Sequence, residues 1–194
     1  MEISDSTLCA LIITSAVTGS ANKEVLSMSI RHFIEGTKEY HQMDIPKNLE
    51  VEEQHNFIKE VLEKLDTFED IVVTFKLVRA KFQKNYYTFC TPECSKHFIC
   101  MLKERIQTRE FYNERNNNPP KYISVDDKLF KINQTYLRER LAILNDTLEL
   151  GIAGRYNKLN LHMLRRYFAT TLSNPVDGDL DTIMPSEYID AFEG

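Results

Sequence analysis

The chain has 194 residues, of which 42% are hydrophobic and 27% charged, the balance of one globular domain long enough to bury a core. No apolar run approaches the ~20 residues that span a bilayer, and the apolar start, Leu8 to Val17, follows Glu2 and Asp5 where a secretory leader carries Lys or Arg, so a cytoplasmic protein without membrane attachment is expected. The net charge of −5 argues against a polyanionic partner only until it is divided: residues 1–70 carry 6 basic and 14 acidic side chains, residues 71–172 carry 18 and 9, and residues 173–194 carry none and 6, so a basic middle remains to meet an anion.

In chain order, Ser4 or Ser6 caps a helix to about Val17 in which Leu8, Leu11, Ile12, Ser15 and Ala16 leave hardly any polar face, so this helix should be buried. Thr18-Gly19 breaks it. Ser20 caps a short second helix through Glu24, Val25 and Leu26, and a third runs from Arg31 to Thr37. After a polar connection from Tyr40 to Val51, helical periodicity returns over Glu52 to Leu65 through Phe57, Val61, Leu62 and Leu65.

From Asp70 the period changes to two. Ile71, Val73, Phe75 and Leu77 alternate with Val72, Thr74, Lys76 and Val78, Phe82 to Asn85 turns, and Tyr86 to Cys90 returns, which predicts an antiparallel β-hairpin. Thr91-Pro92-Glu93 then starts a helix expected to reach about Ile106. Gln107 to Ser124 is polar, with the run Asn116-Asn117-Asn118 and Pro119-Pro120, and reads as a long surface loop. Asn133 to Leu150 is amphipathic and ends at Gly151; the loop Gly151 to Asn160 leads into a last well-marked helix, Leu159 to Leu172. The acidic stretch Asn174 to Asp181 and a short helix over Glu187 to Phe192 follow.

Cys90, Cys94, His97 and Cys100 fall within eleven residues, but they lack the paired Cys-x-x-Cys knuckles of structural zinc sites, so reduced cysteines and no metal are expected. His162 and Arg165, three apart in the last helix, share a face, while Leu161, Leu164, Phe168 and Leu172 form the stripe that seats it. An imidazole beside a guanidinium fork suits an anionic oxygen.

The run His162-Met-Leu-Arg-Arg-Tyr-Phe-Ala-Thr-Thr-Leu172 resembles the His-x-x-Arg box of the tyrosine recombinases, the phage and archaeal integrases. The segment from Arg79 to Phe89 resembles that family's lysine-bearing β-turn, with Lys81 at the lysine and Lys84 as the alternative if the register slips. Tyr-Thr-Phe-Cys-Thr-Pro-Glu at 87–93, followed by a helix, is similar to archaeal integrases. The resemblance covers about 8 to 194. It implies an α+β fold, mainly helical with a small antiparallel β-hairpin or three-stranded sheet, forming one catalytic domain over 1–194. It also implies double-stranded DNA as partner, self-association on DNA, and phosphodiester transesterification needing no cofactor. In that chemistry His162 and Arg165 would hold the phosphate and Lys81 would act as general acid, with Arg79 and Arg166 on the DNA backbone.

Two features depart from the family. Aligning Thr18-Gly19 and Glu24 with its first box puts Ala21 where an arginine is expected; Lys23 and Arg31 are nearby, but an ammonium at another helical angle does not reproduce a bidentate clamp. By the same alignment the third-box His or Arg and the nucleophilic tyrosine are not expected within these residues, since Tyr188 precedes the third-box position, nor is the family's amino-terminal arm domain expected. The expectation is therefore a recombinase catalytic domain that does not cleave DNA alone. The alternatives are a degenerate DNA-binding or regulatory module of the same fold and, more distantly, a helical protein-interaction domain.

Overall fold

The structure, a computed structural model, describes residues 5–79, 83–115 and 119–173. Among them the order is α1 (Asp5–Thr18), α2 (Asn22–Ser27), α3 (Ile30–Gly36), α4 (Lys38–His41), α5 (Val51–Leu65), β1 (Val73–Arg79), β2 (Lys84–Cys90), α6 (Pro92–Arg115), α7 (Gln134–Thr147), β3 (Ile152–Ala153), β4 (Tyr156–Asn157) and α8 (Leu161–Ser173). The class is α+β. β1 and β2 pair antiparallel, from Val73 opposite Cys90 to Arg79 opposite Lys84, and β3 pairs with β4. The described strands therefore make two separate two-stranded sheets, not the three-stranded alternative.

The first helix is buried, as its missing polar face predicts: Ala10, Leu11, Thr14, Ser15 and Thr18 are at most 2% exposed. Its hydroxyls survive burial by donating one turn back, Thr14 to the Ala10 carbonyl at 2.6 Å, Ser15 to Leu11 at 2.9 Å and Thr18 to Thr14 at 2.8 Å, so each has an acceptor inside the core. Around α1 lie α6, α8 and β2. The core beyond it centres on Phe98 of α6, whose ring stands 5.5 Å from that of Phe33, 5.8 Å from Phe75 and 5.9 Å from Phe130; contacts of this kind add to the burial energy of each ring.

Helix α6 runs nine residues past the predicted end at Ile106. Its added turns are polar, and polar contacts hold them: Lys59 of α5 meets Glu110 at 2.5 Å and the Arg115 guanidinium lies 4.0 Å from the centre of the Phe111 ring. Good intrinsic helix formers such as Arg and Glu fill those turns. Within the expected loop, residues 119–121 are exposed and Ile123 is buried, and the segment beyond it stays at the core. Ile123, Val125, Leu129 and Phe130 are buried, and its backbone pairs with the α2–α3 junction through Ile30 N–H to Asp127 O at 2.9 Å, Arg31 N–H to Val125 O at 2.7 Å and Leu129 N–H to Met28 O at 2.7 Å. Asn133, the expected start of the helix, caps α7 by accepting from Tyr136 N–H at 2.7 Å, and α7 stops at Thr147, three residues before the expected Leu150. The loop predicted for 151–160 contains the β3–β4 hairpin. Among the described residues no helix is long and apolar enough to cross a membrane.

Candidate nucleic-acid interface

A groove lined by Arg138, Arg155, His162 and Arg166 also takes in Asn22, just after the turn between α1 and α2. Gly19 sits there at φ +59°, and a Cβ on it would stand 2.3 Å from the Phe168 ring of α8, so the left-handed backbone and the close approach of α8 both require glycine. The turn is held from the other side by β2. Thr88 Oγ1 donates to the Thr18 carbonyl at 2.9 Å, and the Tyr86 hydroxyl is bonded to Ser20 Oγ at 3.0 Å and Glu24 Oε2 at 2.7 Å. Burial pushes the Tyr86 hydroxyl above its ordinary range, which keeps it a neutral donor to that carboxylate. With the turn fixed, Asn22 at the start of α2 and the amino-terminal end of α8 face the same space.

On the far side, Asn145 of α7 is 1% exposed. Its Oδ1 accepts from Leu159 N–H at 3.0 Å and its backbone carbonyl from Leu150 N–H at 3.0 Å, so one buried amide residue ties α7 to both ends of the β3–β4 segment. Asn160 then starts α8, its Oδ1 accepting from Met163 N–H at 3.0 Å and its Nδ2 donating to the Asn157 carbonyl at 2.6 Å, the arrangement of an N-cap.

Between these walls lies an open groove of about 1050 Å³, to which α7 contributes Arg138, the β3–β4 turn Arg155, and α8 His162 and Arg166. All four are exposed, and among the described residues none makes an ion pair (the pairs present involve other cations). The amino-terminal end of α8 adds the positive end of its dipole. Three planar guanidinium forks and an imidazole around one concavity can hold phosphate oxygens at more than one point.

Of the residues expected from the sequence, His162 and Arg166 meet in this groove. Arg165 does not line it; the guanidinium Nε and Nη2 are enclosed, on the part of α8 that turns toward the protein. Arg79 closes β1, with its guanidinium 5.8 Å from the centre of the Tyr86 ring, and so approaches the α1–α2 turn through Tyr86. Lys81 lies outside the described residues, as do Tyr188 and the acidic stretch after Ser173; of Leu172 only the backbone is described. The alternative lysine, Lys84, is exposed opposite Arg79 at the start of β2. Ala21 caps α2 with its N–H donated to Glu24 Oε2 at 3.0 Å. No group of three or more His, Cys, Asp or Glu converges as metal ligands among the described residues; Cys90 and Cys94 are buried and Cys100 is exposed.

Arg138 and Arg155 are additions that sequence reading did not single out. The available signal is the pattern Gly151-Ile-Ala-Gly154-Arg155-Tyr156, two glycines around a two-residue strand with a cation at the turn. No family model, no curated protein and no solved structure matches the chain.

Proposed function

We propose that this chain is a DNA-binding domain of the integrase catalytic type, serving site-specific recombination by holding the phosphate backbone of a duplex in the groove between α7 and α8. The observation that carries the proposal is the convergence of Arg138, Arg155, His162 and Arg166 from three elements on one groove without a carboxylate partner among the described residues. Contacts of this kind position a duplex and do not read its sequence. The resemblance supplies the choice of DNA among polyanions and the expectation of transesterification.

In this reading the residues bind and position phosphate but do not cut. Ala21 offers no guanidinium where the family has its first arginine, and loss of one such clamp commonly costs about 10²- to 10³-fold in rate. An electrophoretic titration of labelled duplex tests the binding half: affinity should fall steeply as salt rises from about 50 to 200 mM, because neutralised phosphates release counterions. A flat response removes the proposal. Incubation with a nicked suicide substrate tests the other half. The expected result is no covalent protein–DNA adduct from these 194 residues, and an adduct refutes that part.

A further inference from the structure

The groove has one feature that phosphate binding leaves unused. Tyr156 lines it beside Arg155, and the residue is 72% exposed, the most of any large apolar or aromatic residue among those described; Ile152, on the paired strand, is 67% exposed. The hairpin that carries them stands clear of the body: Gly151 at φ +78° and Gly154 at φ +64° both have open space where a Cβ would lie. It is nonetheless a built element, with Ile152 opposite Asn157, Ala153 opposite Tyr156, and Lys158 N–H bonded to the Gly151 carbonyl at 3.1 Å. An aromatic face is thus held out in solvent at the rim of a cationic groove, a placement that gains nothing for the fold.

A ring next to phosphate-holding arginines matches the chemistry of a nucleobase attached to its own backbone. In duplex DNA the base faces are covered by their neighbours, so Tyr156 has no face to meet there. Where a base is unpaired, at a gap, nick or fork, the ring stacks on it while Arg155 and the groove keep the adjacent phosphates. Resting on the DNA-binding reading above, we infer that the β3–β4 hairpin is a stacking platform, and that the preferred ligand of this chain is a duplex interrupted by unpaired bases, with Tyr156 contacting the exposed base and Arg155 its phosphate.

The test compares the full chain on two labelled DNAs, a blunt duplex and the same duplex with a short single-stranded gap carrying 2-aminopurine. Wild type should bind the gapped DNA roughly tenfold more tightly, the range found for one stacked base, and should quench the 2-aminopurine. Tyr156→Ala should erase the preference and the quenching while leaving blunt-duplex affinity unchanged, which also shows that the variant is folded. Tyr156→Phe should keep both, since stacking uses the ring and not the hydroxyl. Arg155→Ala should weaken both DNAs to a similar extent. Equal wild-type affinity for the two DNAs, or a preference that survives Tyr156→Ala, overturns the stacking role while salt-dependent duplex binding leaves the proposed function intact. Absence of binding to either DNA overturns both.

Discussion

Two regions of the molecule treat their cations in opposite ways. Around α3, α5, α6 and the segment before α7, several basic side chains meet carboxylates: Arg31 forks onto Asp126 at 2.7 and 3.0 Å, Lys59 meets Glu110, Lys103 meets Asp66, and Arg105 shares Asp127 with Lys131. At the α7–α8 end, Arg138, Arg155, His162 and Arg166 surround a groove and meet no carboxylate among the described residues. The same residue types therefore have different uses. In the first region charge joins elements; in the second, on the proposed reading, it is left for a ligand, and its mutual repulsion is a cost the fold does not recover from internal pairs.

The largest effect is expected where the two regions are joined. Gly19→Ala places a methyl group against the Phe168 ring and strains a left-handed turn, so it should cost roughly 2 kcal/mol or more in urea unfolding and loosen α8 enough to impair DNA binding. Next is Arg105, 15% exposed at its side chain and bonded to the Lys128 carbonyl at 2.9 Å as well as to Asp127 at 3.3 Å. Arg105→Ala should cost about 1–3 kcal/mol of stability, with DNA affinity of the folded protein unchanged. If it weakens DNA binding as much as Arg166→Ala does, the division of labour fails.

A smaller effect concerns His55, which is 3% exposed, accepts from Ile123 N–H through Nδ1 at 3.3 Å and lies against Tyr122. Burial lowers its pKa from 6.5, against the opposing pull of Glu110. The unfolded chain therefore takes up this proton more readily than the folded one, and stability should fall as pH drops through 6.5. Denaturant midpoints at neutral and mildly acidic pH check this, and His55→Gln should flatten the dependence over that window. Smallest of all is Lys103→Ala. Its pair with Asp66 is exposed, so the change should be under about 1 kcal/mol and silent in DNA binding; a large loss in either assay would mean the paired region was misjudged.

The fold was legible wherever a periodic pattern met a single environment. The alternation of Val73, Phe75 and Leu77 fits a strand with one buried face, and the apolar run of α1 fits a helix enclosed by others. Legibility ended where tertiary contacts decide. The polar turns of α6 after Ile106 are set by partners such as Lys59, and Ile123, Val125, Leu129 and Phe130 are core residues at no helical or strand period, held by backbone bonds to residues 28–31. The site divides the same way. His162 and Arg166 lie four apart on one helix, so local periodicity brings them together, whereas Arg138 and Arg155 come from other elements, with Asn145 bonding both ends of the β3–β4 segment to α7. Arg165 shares the helix but not the groove, a difference of one position that spacing alone does not resolve.

The central claim is that the unpaired cations at the α7–α8 end, and not the chain's positive charge in general, hold DNA. Its most direct test is the slope of log affinity against log salt for the triple variant Arg138→Gln, Arg155→Gln, Arg166→Gln beside a charge-matched control, Lys38→Gln, Lys103→Gln, Lys131→Gln. At about 0.9 per phosphate contact, the groove variant should lose a slope of roughly 2.5 to 3 while the control keeps the wild-type value. Equal slopes in the two variants would contradict the account.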